Sequence, residues 1–327
     1  MSTRNFTAYK LYFTTPLHLG DRRDDYGISL RTMSSDAFYA AITATLAKMG
    51  EDLPNDGDLG CIISSLFPFF QQNEKDRPVF FFPAPLYRLS SSTERLKYQN
   101  SKKIKSICWL DDHYFQKVIN GGSLFSTESD VSNINGSFLS VTKVPDGFIS
   151  SSVSSMVTVS RSFEDARPFY MDRVLFLGHS GLFFLAEGDT SHIDKALPLL
   201  SIEGIGTDRN VGNGQFQYEK VNICLTCPDV TNLSLVLSTL IPEDKDQLES
   251  MLTGEKVAYE LMRLGGWIST PPYLTLRKNA IYAFASGSVF SGLQSGCGKI
   301  VDLAPDKMVS HPIWRCGKAI VLPIQLA

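Results

Sequence analysis

Four glycines lie within eleven residues near the middle of the chain, on either side of one arginine. They are Gly204, Gly206, Gly212 and Gly214, with Arg209 between the two pairs. Glycine adopts positive φ and lets a ligand approach the main chain closely, so successive inward N–H groups can form an anion-binding nest. A guanidinium at the centre would add a bidentate phosphate contact. The segment therefore predicts either a clamp on RNA phosphates or a flexible structural loop.

The setting of these glycines argues against the common nucleotide-binding motifs. The segment lacks the Gly-Lys-Ser/Thr ending of a P-loop, and it follows a predicted helix near His192–Leu200 rather than a strand. A Rossmann turn connects a strand to a helix, so a dinucleotide site is also disfavoured.

A histidine close to such a loop is a candidate general base for RNA cleavage. His18 follows the first predicted strand, but no second histidine or tyrosine is arranged with it in the sequence. The other histidines are scattered over loops and helix starts, at His113, His179, His192 and His311. We therefore favour a hydrogen-bonded histidine at the end of a strand over a catalytic base.

Carboxylates cluster in the loop after the first strand, where a metal-dependent nuclease could hold its ion. They are Asp21, Asp24 and Asp25, interleaved with Arg22, Arg23 and Arg31. This mixture favours hydration or local ion pairing. Asp36 has a structural explanation, because a carboxylate in the first turn of a helix is favoured by the helix dipole. We predict no catalytic residue and no nuclease activity.

The cysteines predict neither a disulfide framework nor a metal site. There are six in 327 residues, and only Cys224 and Cys227 form a C-x-x-C pair. A structural zinc site needs four ligands, and residues three apart in a strand point to opposite faces. No metal and no other cofactor is predicted.

Composition is that of a globular protein, with 43% hydrophobic and 20% charged residues. The net charge is −3, so binding of RNA would need a local basic patch. One lies near residues 95–105 and includes Lys102, Lys103 and Lys105; a solvated loop is the alternative. The first residues form no apolar run and the longest apolar stretches are too short to cross a membrane, so a cytoplasmic protein is expected.

The hydrophobic pattern predicts an α+β fold. A strand at Phe6–Thr14 is followed by a helix that Ser34 or Ser35 caps and Gly50 closes. Val174–Leu177 and Leu182–Leu185 are predicted to form a hairpin, before the helix and glycine-rich loop. Residues 88–160 have a weak pattern and are predicted to be an insertion. This order is β-α-β-β-α-β, which is ferredoxin-like.

The second half repeats a similar order in fewer residues. We predict strands at Leu233–Ile241, Val257–Ile268, Ile281–Phe290 and Ala319–Leu326, with a helix at Glu243–Leu252. The expected architecture is two ferredoxin-like (RRM-like) domains. The first spans residues 1–226, with the insertion at about 88–160 and the glycine-rich loop, and the second spans residues 227–327.

Several segments, taken with their order, resemble a known family. The pattern Gly-Ile-Gly-x-Asp-Arg-x-x-Gly-x-Gly-x-Phe at 204–216 resembles the signature of the repeat-associated RNA-binding (RAMP) superfamily of CRISPR systems. Further similar segments are Leu11–Gly20, Ser35–Ala41, Leu66–Phe69, Phe82–Leu86, Gly265–Trp267, Arg277–Lys278 and Gly287–Phe290. Nearly end to end, the chain resembles the fourth-subunit family of the type III-A CRISPR Csm effector complex.

The resemblance implies a non-enzymatic subunit of a cytoplasmic ribonucleoprotein that acts in defence against foreign nucleic acid. Members bind the repeat-derived 5′ tag of the guide RNA (crRNA). They dock a large palm-domain subunit with cyclase and DNase functions, and the first backbone RAMP subunit. The RNA-binding positions that it implies here are His18, Arg161, Gly204, Gly206, Arg209, Asn210, Gly212, Gly214 and Phe216.

Aromatic residues near these loops are candidates for stacking on RNA bases, chiefly Tyr26, Phe216 and Tyr218. In strands such residues more often belong to the core. Two other functions stay open. One is an RNA endonuclease of the same superfamily that uses His18 or the Asp21–Asp25 loop to process crRNA or cleave target RNA. The other is a protein adaptor in which the glycine loop is structural.

Overall fold

Helices and strands are both present, which confirms the α+β prediction. The structure is a computed structural model that describes residues 1–22, 25–87, 101–125, 128–158, 167–229, 231–305 and 309–326. Strands β1 to β20 are, in order, Ser2–Phe13, Gly20–Arg22, Asp25–Ser29, Cys61–Ile63, Phe67–Phe70, Val79–Pro83, Trp109–Asp111, Ile134–Asn135, Phe138–Leu139, Ile149–Thr158, Arg167–Phe176, Gly181–Gly188, Phe216–Cys227, Leu233–Val236, Leu261–Leu264, Ile281–Phe284, Val289–Ser291, Ile300–Asp302, Trp314–Cys316 and Val321–Ile324. Helices α1 to α6 are Ser35–Lys48, Ser101–Lys105, Asp112–Ile119, Glu128–Ser132, Ser191–Glu203 and Lys245–Met251.

A nine-stranded sheet forms the centre of the molecule. Its path is β13-β1-β12-β5-β6-β7-β9-β8, and β4 also pairs with β12. Strand β1 is antiparallel to β13 over its full length, from Ser2 opposite Cys227 to Phe13 opposite Phe216. This pairing places the end of β1 beside the start of β13, where the glycine-rich loop ends.

Residues of β1 point alternately to the two faces of the sheet, and both faces are buried. Tyr9 and Leu11 pack into a core with α1 and α5, and the ring of Tyr9 stacks on Phe184 at 5.0 Å. Phe6 and Ala8 pack into a second core on the opposite face. Because β1 is central, its sequence lacks the clean hydrophobic alternation of a half-exposed strand.

Helix α1 forms where the sequence predicted it. Phe38, Ile42 and Leu46 recur at helical spacing, and all three are fully buried in the core under the sheet. Gly50 follows the helix with φ of +78°, a left-handed conformation that glycine adopts without strain. Ser34 is the N-cap residue, although its side chain makes no capping hydrogen bond.

The segment 88–160, predicted as an insertion, is built into the central sheet in its described part. It supplies β7, β8 and β9 to the sheet and α3 to the second core, where Phe115 stacks on Phe82 at 4.5 Å. Strand β10, at the end of the segment, lies outside this sheet, and the three strands that the segment adds to the sheet are only two or three residues long. Elements of that length carry too few residues to show a period, so the sequence pattern was weak.

The predicted hairpin at 174–185 is wrong. Strand β11 pairs with β10 in a separate two-stranded ribbon, whereas β12 pairs with β1, β4 and β5. The chain turns at Gly178, whose Cα lies so close to Gln72 that a Cβ would be 3.1 Å from the Gln72 carbonyl oxygen. Both strands were identified, but β11 pairs with the strand just before it, whereas the partners of β12 lie far away in the sequence.

The second half contains a three-stranded sheet, β17-β14-β20, and the two-stranded ribbons β15-β16 and β18-β19. In its described residues, α6 is the single α-helix. Leu235, Ile320 and Leu322 pack in the same core as Phe6 and Phe183 of the first half. The two halves therefore share one hydrophobic core. None of the described helices combines the length and the apolar character needed to span a membrane.

Candidate nucleic-acid interface

The base of the glycine-rich loop, Gly204–Gly206 with Asn213 and Gly214, is packed against the end of β1. The Gly214 N–H donates to the Pro16 carbonyl at 2.8 Å, and the Thr207 N–H donates to the His18 carbonyl at 2.9 Å. Within the loop, the Ile205 N–H donates to the Gly214 carbonyl at 3.0 Å. These bonds hold the loop rigidly on the sheet.

Three of the four glycines are needed for this close packing. A Cβ on Gly204 would lie 2.5 Å from the Asn213 carbonyl oxygen, and one on Gly214 would lie 2.0 Å from that of Ile205. A Cβ on Gly206 would lie 2.3 Å from the His18 carbonyl oxygen. All three also have positive φ. Only glycine fits these positions without displacing backbone.

The prediction that these glycines offer a nest of free amides is wrong for the base of the loop. The Gly204 N–H donates to the Leu200 carbonyl and the Gly214 N–H to that of Pro16, both at 2.8 Å. An N–H group that already has a good backbone acceptor has no hydrogen left for a phosphate. The base therefore positions the loop.

The tip of the loop, Asp208–Gly212, has a different character. Asp208 is left-handed at φ of 56°, Arg209–Val211 form a single 3₁₀ turn, and Gly212 is left-handed at φ of 85°. Arg209 and Asn210 are exposed, and the Arg209 guanidinium makes no ion pair with any described residue. No atom lies within 4 Å of the position of a Gly212 Cβ. An exposed cation thus projects from a rigid base.

Phe216 does not belong to this exposed surface, a position that does not favour the contact with RNA predicted for it. Its side chain is 3% exposed and lies in the core with its ring 6.0 Å from that of Phe13. It is opposite Phe13 at the end of the β1–β13 pair. Tyr218 lies on the same strand and is exposed, so it is the better stacking candidate.

His18 is buried, a position that does not favour the direct contact with RNA predicted for it. Its side chain is 1% exposed, and Nδ1 lies 2.7 Å from the carbonyl oxygen of Asp172, to which it can donate. Its ring stacks on Tyr26 at 6.1 Å. The hydrogen-bonded strand-end histidine is confirmed. Its carbonyl oxygen also receives the Thr207 N–H, which links it to the loop.

Other predicted residues lie elsewhere or cannot be placed. Arg161 and Asp24 are outside the described residues. Lys102, Lys103 and Lys105 are exposed at and around α2, next to β7. Strand β7 is five strands from β13 in the sheet, so at about 4.8 Å per strand β7 lies roughly 24 Å from the strand that follows the glycine loop. They form a separate patch.

The Cys224 and Cys227 pair is confirmed to point to opposite faces of β13. Cys224 is exposed, whereas Cys227 is buried in the second core. Burial raises the pKa of the Cys227 thiol to about 11. Within the described residues, no three His, Cys, Asp or Glu side chains are grouped to hold a metal.

Sequence reasoning missed two residues that hold the loop. Asn213 is buried, with its amide Nδ2 3.6 Å from Sδ of Met171 on the neighbouring ribbon. The Thr15 hydroxyl accepts from the Gln215 N–H at 2.9 Å. The signal for Asn213 in the sequence was its place as a polar residue between two glycines, Gly212 and Gly214.

Comparisons with known proteins show which family the sequence resembles. The Csm4 C-terminal domain model of CRISPR proteins matches residues 230–324. The CRISPR system Cms protein Csm4 of two Mycobacterium tuberculosis strains is 26% identical over 310 residues, which cover 92% of this chain and 93% of the relative. The chain is thus similar to Csm4 proteins over nearly its whole length, and its second half matches the Csm4 C-terminal domain. The family resemblance predicted from the sequence is confirmed.

Csm4 relatives from other organisms and solved structures extend the match. Csm4 of Streptococcus thermophilus is 25% identical over 330 residues, covering 98% of this chain and all of the relative. A chain of a Csm1–Csm4 cassette in complex with cA4 superposes with a TM-score of 0.57 at 16% identity, with 99% of both chains covered. A chain of a Csm3–Csm4 subcomplex superposes at 0.54 and 16% identity, covering 98% of this chain and 100% of that one. These superpositions show a shared fold.

Proposed function

We propose that this chain is a non-catalytic subunit of a type III-A CRISPR effector ribonucleoprotein and binds the repeat-derived 5′ tag of the guide RNA. The observation that carries the proposal is the exposed tip of the glycine-rich loop. Arg209 stands there without an internal ion-pair partner among the described residues, on a base that is hydrogen-bonded to the end of β1. The similarity to CRISPR Csm4 proteins supports RNA as the ligand.

The geometry of the tip suits a phosphate. A guanidinium donates two parallel hydrogen bonds to phosphate oxygens, and Asn210 beside it adds an amide donor. Because the base of the loop is already fixed, little conformational entropy is lost when the tip orders on RNA. Tyr218, two residues into β13, offers a ring for base stacking.

The candidate base for RNA cleavage is poorly placed for catalysis, which supports a non-enzymatic role. The His18 side chain is buried and its ring stacks on Tyr26, and its Nδ1 is already engaged with the Asp172 carbonyl. A general base must reach the proton that it abstracts. We therefore rank the endonuclease hypothesis below the binding hypothesis.

We also propose that the chain anchors two protein partners in a cytoplasmic complex for antiviral defence. They are a Csm1-type large subunit with a palm domain and cyclase and DNase functions, and a Csm3-type backbone RAMP subunit. Support comes from the solved assemblies that match this fold, a Csm1–Csm4 cassette and a Csm3–Csm4 subcomplex.

At the level of fold, we infer that the first half is a ferredoxin-like domain with additions. Its strand order β13-β1-β12-β5, with α1 and α5 in the connections, follows the ferredoxin-like βαββαβ arrangement. The second half is a reduced version. It has α6 after its first strand, and loops stand where a second helix would be expected.

The test is the affinity of the purified chain for a guide RNA with its 5′ tag, measured by fluorescence anisotropy over a range of salt. Arg209→Ala should weaken binding about tenfold, the loss of one charge-assisted contact, and reduce the salt slope by about 0.7. Arg77→Ala, which removes another exposed arginine of the first half, is the control and should change binding little. Equal effects of the two substitutions would contradict the proposal.

A further inference from the structure

Strand β13 forms one edge of the central sheet, with β1 on its inner side. It has twelve residues and no proline, and its register with β1 is unbroken from Ser2 opposite Cys227 to Phe13 opposite Phe216. Among the described strands, β1 is its only partner. The outer side of a long, regular strand is therefore free of a neighbouring strand.

Alternate residues of β13 direct their backbone N–H and C=O groups away from β1. In an antiparallel pair each residue bonds to one side only, so a single bonded pair fixes the direction of all the others. The Thr14 N–H donates to the Gln215 carbonyl at 2.9 Å, so Gln215 and every second residue after it bond toward β1. From there onward, the residues whose groups point outward are Tyr218, Lys220, Asn222, Cys224 and Thr226.

The fold provides hydrogen-bond partners for only the last of these residues. The Thr226 N–H donates to Oε1 of Gln116 at 3.1 Å, and its carbonyl accepts from Nδ2 of Asn120 at 2.9 Å. From Tyr218 to Cys224, no outward N–H or C=O group is hydrogen-bonded to a described residue, and the outward residues are all exposed. A row of backbone donors and acceptors is thus open to another chain.

The charged side chains of this edge are paired within the chain. Free charges commonly protect an edge strand, because they disfavour the approach of another strand. Lys220 Nζ lies 2.6 Å from the carboxylate of Asp194 on α5. Glu219 accepts from Nζ of Lys10 at 2.8 Å and from the Tyr12 hydroxyl at 2.9 Å. The edge therefore lacks the usual protection by charge, by proline or by a bulge.

We infer that the outer edge of β13, from Tyr218 to Cys224, binds an extended and largely uncharged segment of a protein partner as an additional strand. The inference rests on the proposed function, which supplies the partners. Main-chain hydrogen bonds to the outward groups would provide the affinity, as in other cases of strand addition. Because the charges of the edge are already paired, charged residues in the segment would find no opposite charge there.

A polypeptide fits this edge better than RNA does. An extended strand offers donors and acceptors in the same alternation as the edge itself. The phosphate groups of RNA only accept hydrogen bonds, so they would leave the outward carbonyl groups without a donor. They would also meet no free cation, since Lys220 is paired with Asp194.

The test measures the affinity of the full chain for the Csm1-type and the Csm3-type subunit of the same organism, and separately for the guide RNA. Asn222→Pro removes one outward N–H and keeps the ladder to β1, because proline is tolerated where the N–H of an edge strand faces solvent. It should weaken binding to one of the two subunits at least about tenfold, through a lost hydrogen bond and an obstructing ring. Asn222→Ala keeps the N–H and is the matched control, which should leave binding nearly unchanged.

Affinity for RNA should be the same in both variants as in the wild type. Weaker RNA binding by Asn222→Pro with unchanged subunit binding would overturn the inference. If the wild-type chain binds a subunit and Asn222→Pro binds both subunits as the wild type does, the inference fails and the proposed function stands. If the wild-type chain binds neither subunit, the proposed partners fail and the inference fails with them.

Amide hydrogen exchange of the wild-type chain avoids any folding defect of the variants. In the free chain, exchange resolved to single residues should alternate along β13, slow at Glu219 and Val221 and fast at Lys220 and Asn222. In the complex with the correct subunit, exchange at Lys220 and Asn222 should slow at least about tenfold. Slow exchange at these two residues in the free chain would mean that the edge is closed or pairs with a second copy. That result, or unchanged fast exchange in both complexes, would overturn the inference.

Discussion

Two glycines of the loop, only two positions apart, are required for different structural reasons. Gly214 is hemmed in by backbone, with a Cβ position 2.0 Å from the Ile205 carbonyl oxygen, whereas the Cβ position of Gly212 is in open space. Both have φ between 76° and 85°. Gly212 therefore needs glycine for its backbone angle alone, and Gly214 needs it also for space.

Alanine substitutions at these two positions should distinguish the cost of backbone strain from the cost of a steric clash. Gly212→Ala should cost about 1 kcal/mol of unfolding free energy, the usual price of a left-handed alanine. Gly214→Ala should cost at least about 3 kcal/mol, because the Pro16 and Ile205 contacts must move as well. Urea denaturation of the two variants beside the wild type gives both values. Equal losses would mean that the loop base is not packed as described.

Single residues also mark the limit of prediction from sequence. The position of the glycine loop between a helix and a strand, with Arg209 at its centre, followed from residue types and spacing. The burial of Phe216 and His18 did not, because the residues that cover them, Phe13 and Asp172, are about 200 and 150 positions away. Exposure depends on such distant contacts, which no local pattern encodes.

At the scale of elements, hydrophobic periodicity predicted the helices, because their pattern is contained within one segment of the sequence. Helix α1 was predicted because its buried residues recur at helical spacing, and α5 and α6 were predicted close to their bounds. Strand partners were not predictable in the same way. Strands β11 and β12 both exist, but they do not pair with each other, because β11 pairs with the preceding β10 and β12 pairs with β1, β4 and β5.

Two helix caps provide a test of how firmly the 88–160 segment is built into the sheet. Asp111 caps α3, accepting from the Tyr114 N–H at 2.8 Å, and it also accepts from the Val141 N–H at 2.7 Å. Burial raises the pKa of Asp111. Asp244 caps α6 at the surface with one bond, from the Gln247 N–H at 2.8 Å.

Asp111→Ala should lower the unfolding free energy by about 3 kcal/mol, since it removes a cap and leaves a second N–H without a partner. Asp244→Ala, the matched surface cap, should lower it by about 1 kcal/mol. Thermal or urea unfolding of both variants measures the difference. If Asp111→Ala costs no more than Asp244→Ala, the segment is not integrated with the sheet.

At the scale of the whole molecule, the two halves are joined by a common core and a polar seam. Leu235 and Leu322 of the second half pack with Phe6 of the first, and the Ser238 hydroxyl donates to the Ile63 carbonyl at 2.7 Å. Lys318 and Asp58 form an ion pair across the same seam. Neither half covers its own apolar surface.

The chain should therefore unfold in one cooperative transition. The three tryptophans report on both halves, since Trp109 lies in the first and Trp267 and Trp314 lie in the second. Variants that keep only Trp109 or only Trp314 should show coincident urea transitions by fluorescence. A second-half transition at clearly lower urea would show that the halves fold independently.

The central claim is that the glycine-loop tip contacts the 5′ tag of the guide RNA. The most direct measurement is photo-crosslinking in the purified effector complex, with a photoreactive nucleotide in the tag, followed by mass spectrometry of the linked peptide. We expect a crosslink to the Asp208–Gly212 tip. Its yield should fall in the Arg209→Ala variant and stay unchanged in the Arg77→Ala variant. Strong crosslinks elsewhere on this chain, unaffected by Arg209→Ala, would contradict it.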